Sequence, residues 1–183
     1  MVQTMDRSRG EAVAQVVPSE LVISAVPGEY YTYSSEFTDE RPLYVLLKCK
    51  SNKSRPVADA GSLGREANML FLLNDWTQAQ VYSIKEAYSL GLLGDAVNAQ
   101  LFDDTWVACA GITDDYFYDI RSRKDVAMLV ETCKKACSEH SVSVPLSQGS
   151  IIAVMTSGGK YGLFLVKELT PTSIQIDACH ILL

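Results

Sequence analysis

Apolar residues recur at helical spacing just after position 124 and then at strand spacing from position 150 to the end, so the chain predicts a helix followed by a sheet. Residues 150–183 have the pattern of a three-stranded antiparallel meander. Gly158-Gly159, between Ser157 and Lys160, suits a two-residue type I′ loop. Closing there opposes Thr156 to Tyr161, Val154 to Leu163 and Ile152 to Leu165 on one face, with Ile151, Ala153, Met155, Phe164 and Val166 on the other. A three-residue loop would instead slip the second strand by one position and exchange its faces. Thr170-Pro171-Thr172-Ser173 makes the second turn, with proline supplying a fixed φ, and returns Ile174, Ile176, Ala178, His180 and Leu182 to the first face. Both faces are apolar, so each requires cover from a helix, a second sheet or another subunit. A large side chain left bare would forgo about 1.5–3 kcal/mol.

Upstream, Val126, Leu129, Val130, Cys133, Ala136 and Cys137 form one stripe of a helix expected over 124–139, with Ser122 as its cap and Asp125 in its first turn. Ser83-Ile84-Lys85-Glu86 has capping-box spacing and opens a shorter helix that stops at Gly91 or Gly94. Extended segments are expected at 21–26, 30–34, 43–49, 69–73 and 105–111. Residues 116–120 are expected to form a further strand, in a hairpin about Thr113-Asp114-Asp115. A loosely ordered arm over 1–18 precedes a single domain over 19–183, and 50–65 is the longest loop. The expected class is α+β: a mostly antiparallel curved sheet or partial β-barrel with two or three helices and a C-terminal three-stranded meander.

Composition narrows the function classes. With 183 residues, 48% hydrophobic and 21% charged, the chain can bury a core. A net charge of −6 opposes nonspecific nucleic-acid or anionic-membrane binding. There is no apolar run of membrane-spanning length, and residues 1–15 lack the apolar stretch of a secretory signal. Five cysteines, an odd number, suit reduced thiols and a cytoplasmic protein; a secreted one would require a signal already removed.

Candidate chemistry is sparse. Trp76, Trp106, Asp114, Asp115, Tyr116 and Tyr118 group aromatic rings with carboxylates, a combination that anchors interfaces or stacks on a sugar. Core rings and turn-capping aspartates are the plainer reading of the same residues. Tyr30, Tyr31, Tyr33 and Phe37 form a second aromatic stretch. Cys133, Cys137 and His140 stand at i, i+4 and i+7, with Cys179 or His180 as a fourth metal ligand, although buried cysteines on an apolar stripe need no metal. Neither a metal nor a cofactor is called for. Cys137 or Cys109 with His140 and Asp115 would serve a small hydrolase or transferase. Ser157-Gly158-Gly159-Lys160 fails as a phosphate loop because Val154 replaces its first glycine, Tyr161 replaces Ser or Thr, and a strand follows. Lys48, Lys50, Lys53 and Arg55 read as the solvated side of a strand end and loop.

The segment 149–168, with Gly149, Ala153-Val154, Gly159-Lys160-Tyr161-Gly162 and Val166, is similar to the hairpin that opens the small β-barrel of some bacterial toxin-immunity proteins. The likeness spans about twenty residues of turn and strand chemistry and implies a binding protein. The leading expectation is therefore a non-enzymatic binding or protein-interaction module of bacterial type, with a protein partner or a homodimer. A Cys/His-dependent enzyme and a carbohydrate-binding domain are the alternatives, the latter extending the partner list to a small ligand or glycan.

Overall fold

The computed structural model describes residues 20–22, 28–38, 44–48, 68–73, 78–92 and 102–183. The expected arm over 1–18, residues 23–26, the loop over 50–65, Trp76 and Gly94 lie outside them. In chain order the described elements are β1 (Glu20–Val22), β2 (Tyr30–Thr38), β3 (Tyr44–Lys48), β4 (Met69–Leu72), β5 (Gln80–Ser83), α1 (Ile84–Ser89), β6 (Thr105–Cys109), α2 (Asp114–Arg123), α3 (Val126–Ala136), β7 (Ser143–Pro145), β8 (Ile151–Thr156), β9 (Lys160–Thr170) and β10 (Ser173–Leu182). They build two five-stranded sheets, ordered β1-β3-β4-β5-β7 and β2-β10-β9-β8-β6. All pairings are antiparallel except β1 with β3.

The two sheets face each other across a hydrocarbon core. Met69, Phe71, Leu73 and Val81 of the first meet Ile152, Val154, Phe164, Val166, Ile174 and Ile176 of the second. Phe71 and Phe164 pack edge to face across this layer, ring centroids 5.1 Å apart. Along one side the sheets are stitched together by the segment entering β7. The Ser141 carbonyl accepts from Val107 N–H at 2.9 Å and the Val142 carbonyl from Ser83 N–H at 2.7 Å. The result is an open sandwich and not a closed barrel. The far face of the second sheet carries Ile151, Ala153, Leu163, Leu165, Cys179 and Ile181 beneath α2 and α3. Both apolar faces of the C-terminal meander are thus covered within one chain, by a sheet on one side and by helices on the other. The need for cover therefore gives no reason to invoke a second subunit.

The meander's register differs from the two-residue expectation. Met155 opposes Tyr161 and Val154 opposes Gly162, so the loop holds Ser157, Gly158 and Gly159 and the β9 faces are exchanged. A type I′ loop needs positive φ at both central residues, whereas Gly159 (φ 86°) has it and Gly158 does not. Asp103 and Asp104 decide the matter. The Asp103 carboxylate lies where a Gly158 Cβ would fall, and Ser157 exchanges hydrogen bonds with the Asp104 backbone. A bulge between Gln175 and Ile176 then restores the alignment of β9 with β10.

The expected hairpin over 113–120 is instead helix α2. Thr113 Oγ1 accepts from Tyr116 N–H at 3.3 Å, Asp114 and Asp115 sit at the positive end of the helix dipole, and Phe117 and Ile120 bury one face at i, i+3 spacing. Cap and spacing override the strand preference of Tyr-Phe-Tyr. Ser122 consequently lies inside α2 and caps nothing. Lys124 ends α2 in the left-handed conformation at φ 52°, and Asp125 caps α3, accepting from Met128 N–H at 3.0 Å. At α1 only half of the capping box forms, Ser83 Oγ accepting from Glu86 N–H at 3.3 Å, because Ser83 N–H already has the Val142 carbonyl.

Candidate functional site

Alternation along β2 puts Tyr30, Thr32, Ser34 and Glu36 on the helix side of the second sheet, opposite Ile181, Cys179, Asp177 and Gln175 of β10. The helices seal the apolar end of this face, where the Tyr30 hydroxyl donates to the Ile120 carbonyl at 3.3 Å. Their cover stops at Asp177. There Ser34 Oγ donates to Asp177 Oδ1 at 2.5 Å and the Tyr118 hydroxyl donates to Oδ2 at 2.6 Å. Arg121 Nη1 and Lys167 Nζ stand 3.9 and 3.8 Å from Oδ2, and Arg121 Nη2 donates to Ser34 Oγ at 3.2 Å. Four elements therefore converge on one carboxylate whose side chain is 5% exposed.

Burial alone would raise the Asp177 carboxyl. The hydrogen bonds from Ser34 and Tyr118 and the charges of Arg121 and Lys167 outweigh it and hold the group below the usual aspartate range. The same bond to Asp177, with help from burial and the carboxylate charge, pushes the Tyr118 hydroxyl up to about 12. An ionised, fully engaged carboxylate is a weak base, so the cluster shapes a surface more readily than it moves protons.

That cluster divides two clefts. The larger, about 600 Å³, runs between Thr32 of β2 and Asp115, Tyr118, Asp119, Arg121 and Ser122 of α2. The smaller, about 260 Å³, is floored by Ser34, Lys167, Gln175 and Asp177. A separate cavity of about 620 Å³ lies between α2 and α3, lined by Ile112, Thr113, Tyr116, Met128 and Thr132.

Helical geometry thus separates the aromatic and acidic residues expected to act together. Asp115 and Tyr118 line the larger cleft, Tyr116 lines the separate cavity, Asp114 is exposed in the first turn of α2, and Trp106 is half-buried on β6. The Trp106 ring packs against the exposed His140, centroids 4.7 Å apart. His140 has left the helix at φ 55°, while Cys133 and Cys137 point into the protein. The Cys133 thiol donates to the Gly162 carbonyl at 3.2 Å, and Cys137 lies 3.6 and 3.7 Å from the Trp106 and Ala153 carbonyl oxygens. Burial pushes Cys133 well above the usual thiol range and Cys137 up to about 12. Cys179 rises to about 11, burial outweighing its bond with Tyr30. Among the described residues no group of three or more His, Cys, Asp or Glu is placed to hold a metal ion. Cys109 is exposed and opposes Ile152, which faces the first sheet, so Cys109 and His140 lie on opposite faces of β6.

Ser34, Arg121, Lys167 and Asp177 were not singled out by the sequence. One signal was present: Asp177 is the one carboxylate of its strand and stands between the apolar Ile176 and Ala178. A charge there has to find partners. Among the described residues no helix is long and apolar enough to cross a membrane. Comparison of the chain with protein-family models, with curated proteins and with solved structures finds no match in any of the three.

Proposed function

We propose that this chain is a non-enzymatic protein-interaction module and that its binding site is the cleft between β2 and α2. The observation that carries this reading is the pairing of a nine-residue strand, the end strand of its sheet among the described residues, with a polar helical stripe over the same opening. Such an arrangement offers main-chain groups on one side and side-chain specificity on the other. The protonated, buried Cys133, Cys137 and Cys179 support binding over thiol chemistry and suit a reducing, cytoplasmic setting.

Panning a displayed library of random heptapeptides against the isotopically labelled full chain tests the reading. Enriched peptides are expected to shift the amide signals of Thr32, Ser34 and residues 115–122. No enrichment, or shifts confined to residues 110–113 and 128–136 around the separate cavity, would overturn it. The carbohydrate reading uses the same cleft, with the exposed Tyr118 ring beside Asp115 and Asp119; shifts there from a glycan panel and none from peptides would select it instead.

A further inference from the structure

Met128, Glu131, Thr132, Lys135 and Ala136 stand at i, i+3, i+4, i+7 and i+8 of α3 and so share one of its faces. All five line the cavity of about 620 Å³ beside α2, a volume within the range of small-molecule sites. Its apolar members, Met128 and Ala136, begin and end the stripe, and the three polar residues lie between them. Ile112 and Tyr116 complete the lining from the turn before α2 and from its first turn. Ile112, Met128 and Ala136 rest on the core beneath the helices, which gives the cavity an apolar base. We infer that this cavity binds an apolar α-amino acid, its ammonium at Glu131, its carboxylate at Lys135 and its side chain against Ile112 and Met128. The inference is independent of the interaction-module reading, since no residue lines both this cavity and the cleft at β2.

Two observations point to a ligand with both charges. Thr132 is 9% exposed, yet its hydroxyl has no hydrogen-bond partner among the described residues, although a buried hydroxyl is normally paired. Glu131 and Lys135, exposed at the rim, have the i, i+4 spacing at which a helix ordinarily closes an ion pair, but no ion pair joins them. They stand about 6 Å apart along the helix axis. An amino-acid head group carries its ammonium and carboxylate on one carbon, so it bridges that gap by donating to Glu131 and accepting from Lys135. Thr132 Oγ1, on the same face, supplies a third hydrogen bond. A simple anion would leave Glu131 opposed, and a simple cation would leave Lys135 opposed; the zwitterion leaves neither. The half-exposed Tyr116 ring offers an aromatic side chain a partner.

The test titrates the isotopically labelled full chain with phenylalanine, with phenylpropionate, which lacks the ammonium, with phenylethylamine, which lacks the carboxylate, and with alanine, which lacks the ring. Phenylalanine is expected to shift the amide signals of residues 110–113 and 128–136 and to bind about tenfold more tightly than each of the others. Glu131→Gln should abolish its advantage over phenylpropionate, and Lys135→Gln its advantage over phenylethylamine. Thr132→Val, which keeps the side-chain shape, should weaken phenylalanine by about tenfold. Lys124→Gln, in the other cleft, leaves its binding unchanged. Should Thr132→Val fail to fold by circular dichroism, the two variants at the exposed rim carry the test. Equal binding of the three phenyl probes would overturn the zwitterion. No saturable shift at 110–113 and 128–136, or shifts at Thr32 and 115–122 in their place, would overturn the site, and neither result bears on the peptide test of the other cleft.

Discussion

The second sheet is built differently on its two faces. Toward the first sheet it presents a sealed hydrocarbon centre of Ile152, Val154, Phe164, Val166, Ile174 and Ile176, continued at one end by the buried Thr156, Lys160 and His180. Toward the helices it begins just as apolar, with Leu163, Cys179 and Ile181, and ends in the ionised Asp177 with Ser34, Tyr118, Arg121 and Lys167 around it. The hydrocarbon centre of the first face is held by burial, which is nondirectional and insensitive to pH. The other ends in directional bonds that must all be made at once. At the polar border helical cover stops and two clefts open, and the proposed recognition would use that border.

The hydrocarbon face should break first and hardest. Phe164→Ala removes a ring that is 1% exposed and packed against Phe71, and is expected to cost about 3–5 kcal/mol through lost burial and the cavity left behind. Chemical denaturation at two pH values measures it. The loss should be equal at pH 7 and pH 4 to within the error of the fits. A loss that shrank with acid would mean that the two faces are not energetically separate.

Asp177→Asn attacks the other face and should behave in the opposite way. The amide leaves Arg121 and Lys167 without their anion and weakens two charge-assisted hydrogen bonds, a cost of about 2–3 kcal/mol at neutral pH. The folded-state pKa of Asp177 is depressed below an unfolded value of about 3.9. Its stabilisation is therefore complete above the unfolded value and is lost as pH falls through the folded one. The gap between wild type and Asp177→Asn should stay constant from pH 7 to about pH 5 and close below about pH 4. A gap that persisted undiminished at pH 2 would show that the substitution acts through packing and not through charge.

The same contrast explains what could be read from the sequence. Burial by alternation is a local pattern, so the meander, the need for cover on both faces and the stripe of α3 were all legible from spacing. The β9 register was not, because loop length is set by Asp103 and Asp104, distant along the chain and brought against Ser157 and Gly158 by the β6–β8 pairing. The site was harder still. Asp115 and Tyr118 drew notice as an acid beside an aromatic ring, but Ser34, Arg121, Lys167 and Asp177 come from four separate elements. Nothing in their spacing announces that they share a carboxylate. The hairpin expected near Tyr116 shows the limit from the other side, since aromatic residues favour strands on average and one capping hydroxyl reverses the outcome.

That capping hydroxyl gives the smallest and most local test. Thr113 Oγ1 satisfies the Tyr116 N–H at 3.3 Å, and Thr113→Ala should cost about 1 kcal/mol. The substitution reaches the polar border only through α2, the helix that carries Tyr118 and Arg121 to Asp177. Fraying of the first turn should raise amide exchange at residues 114–117 while leaving β8 and β9 protected, because Phe117 and Ile120 still anchor the helix to the sheet. Combined with Asp177→Asn, the two losses should add to within about 0.5 kcal/mol if the cap and the ionic network act independently. A clear excess or shortfall would show instead that the network itself helps to hold the start of α2, and that the polar border is coupled to the helix above it along its whole length.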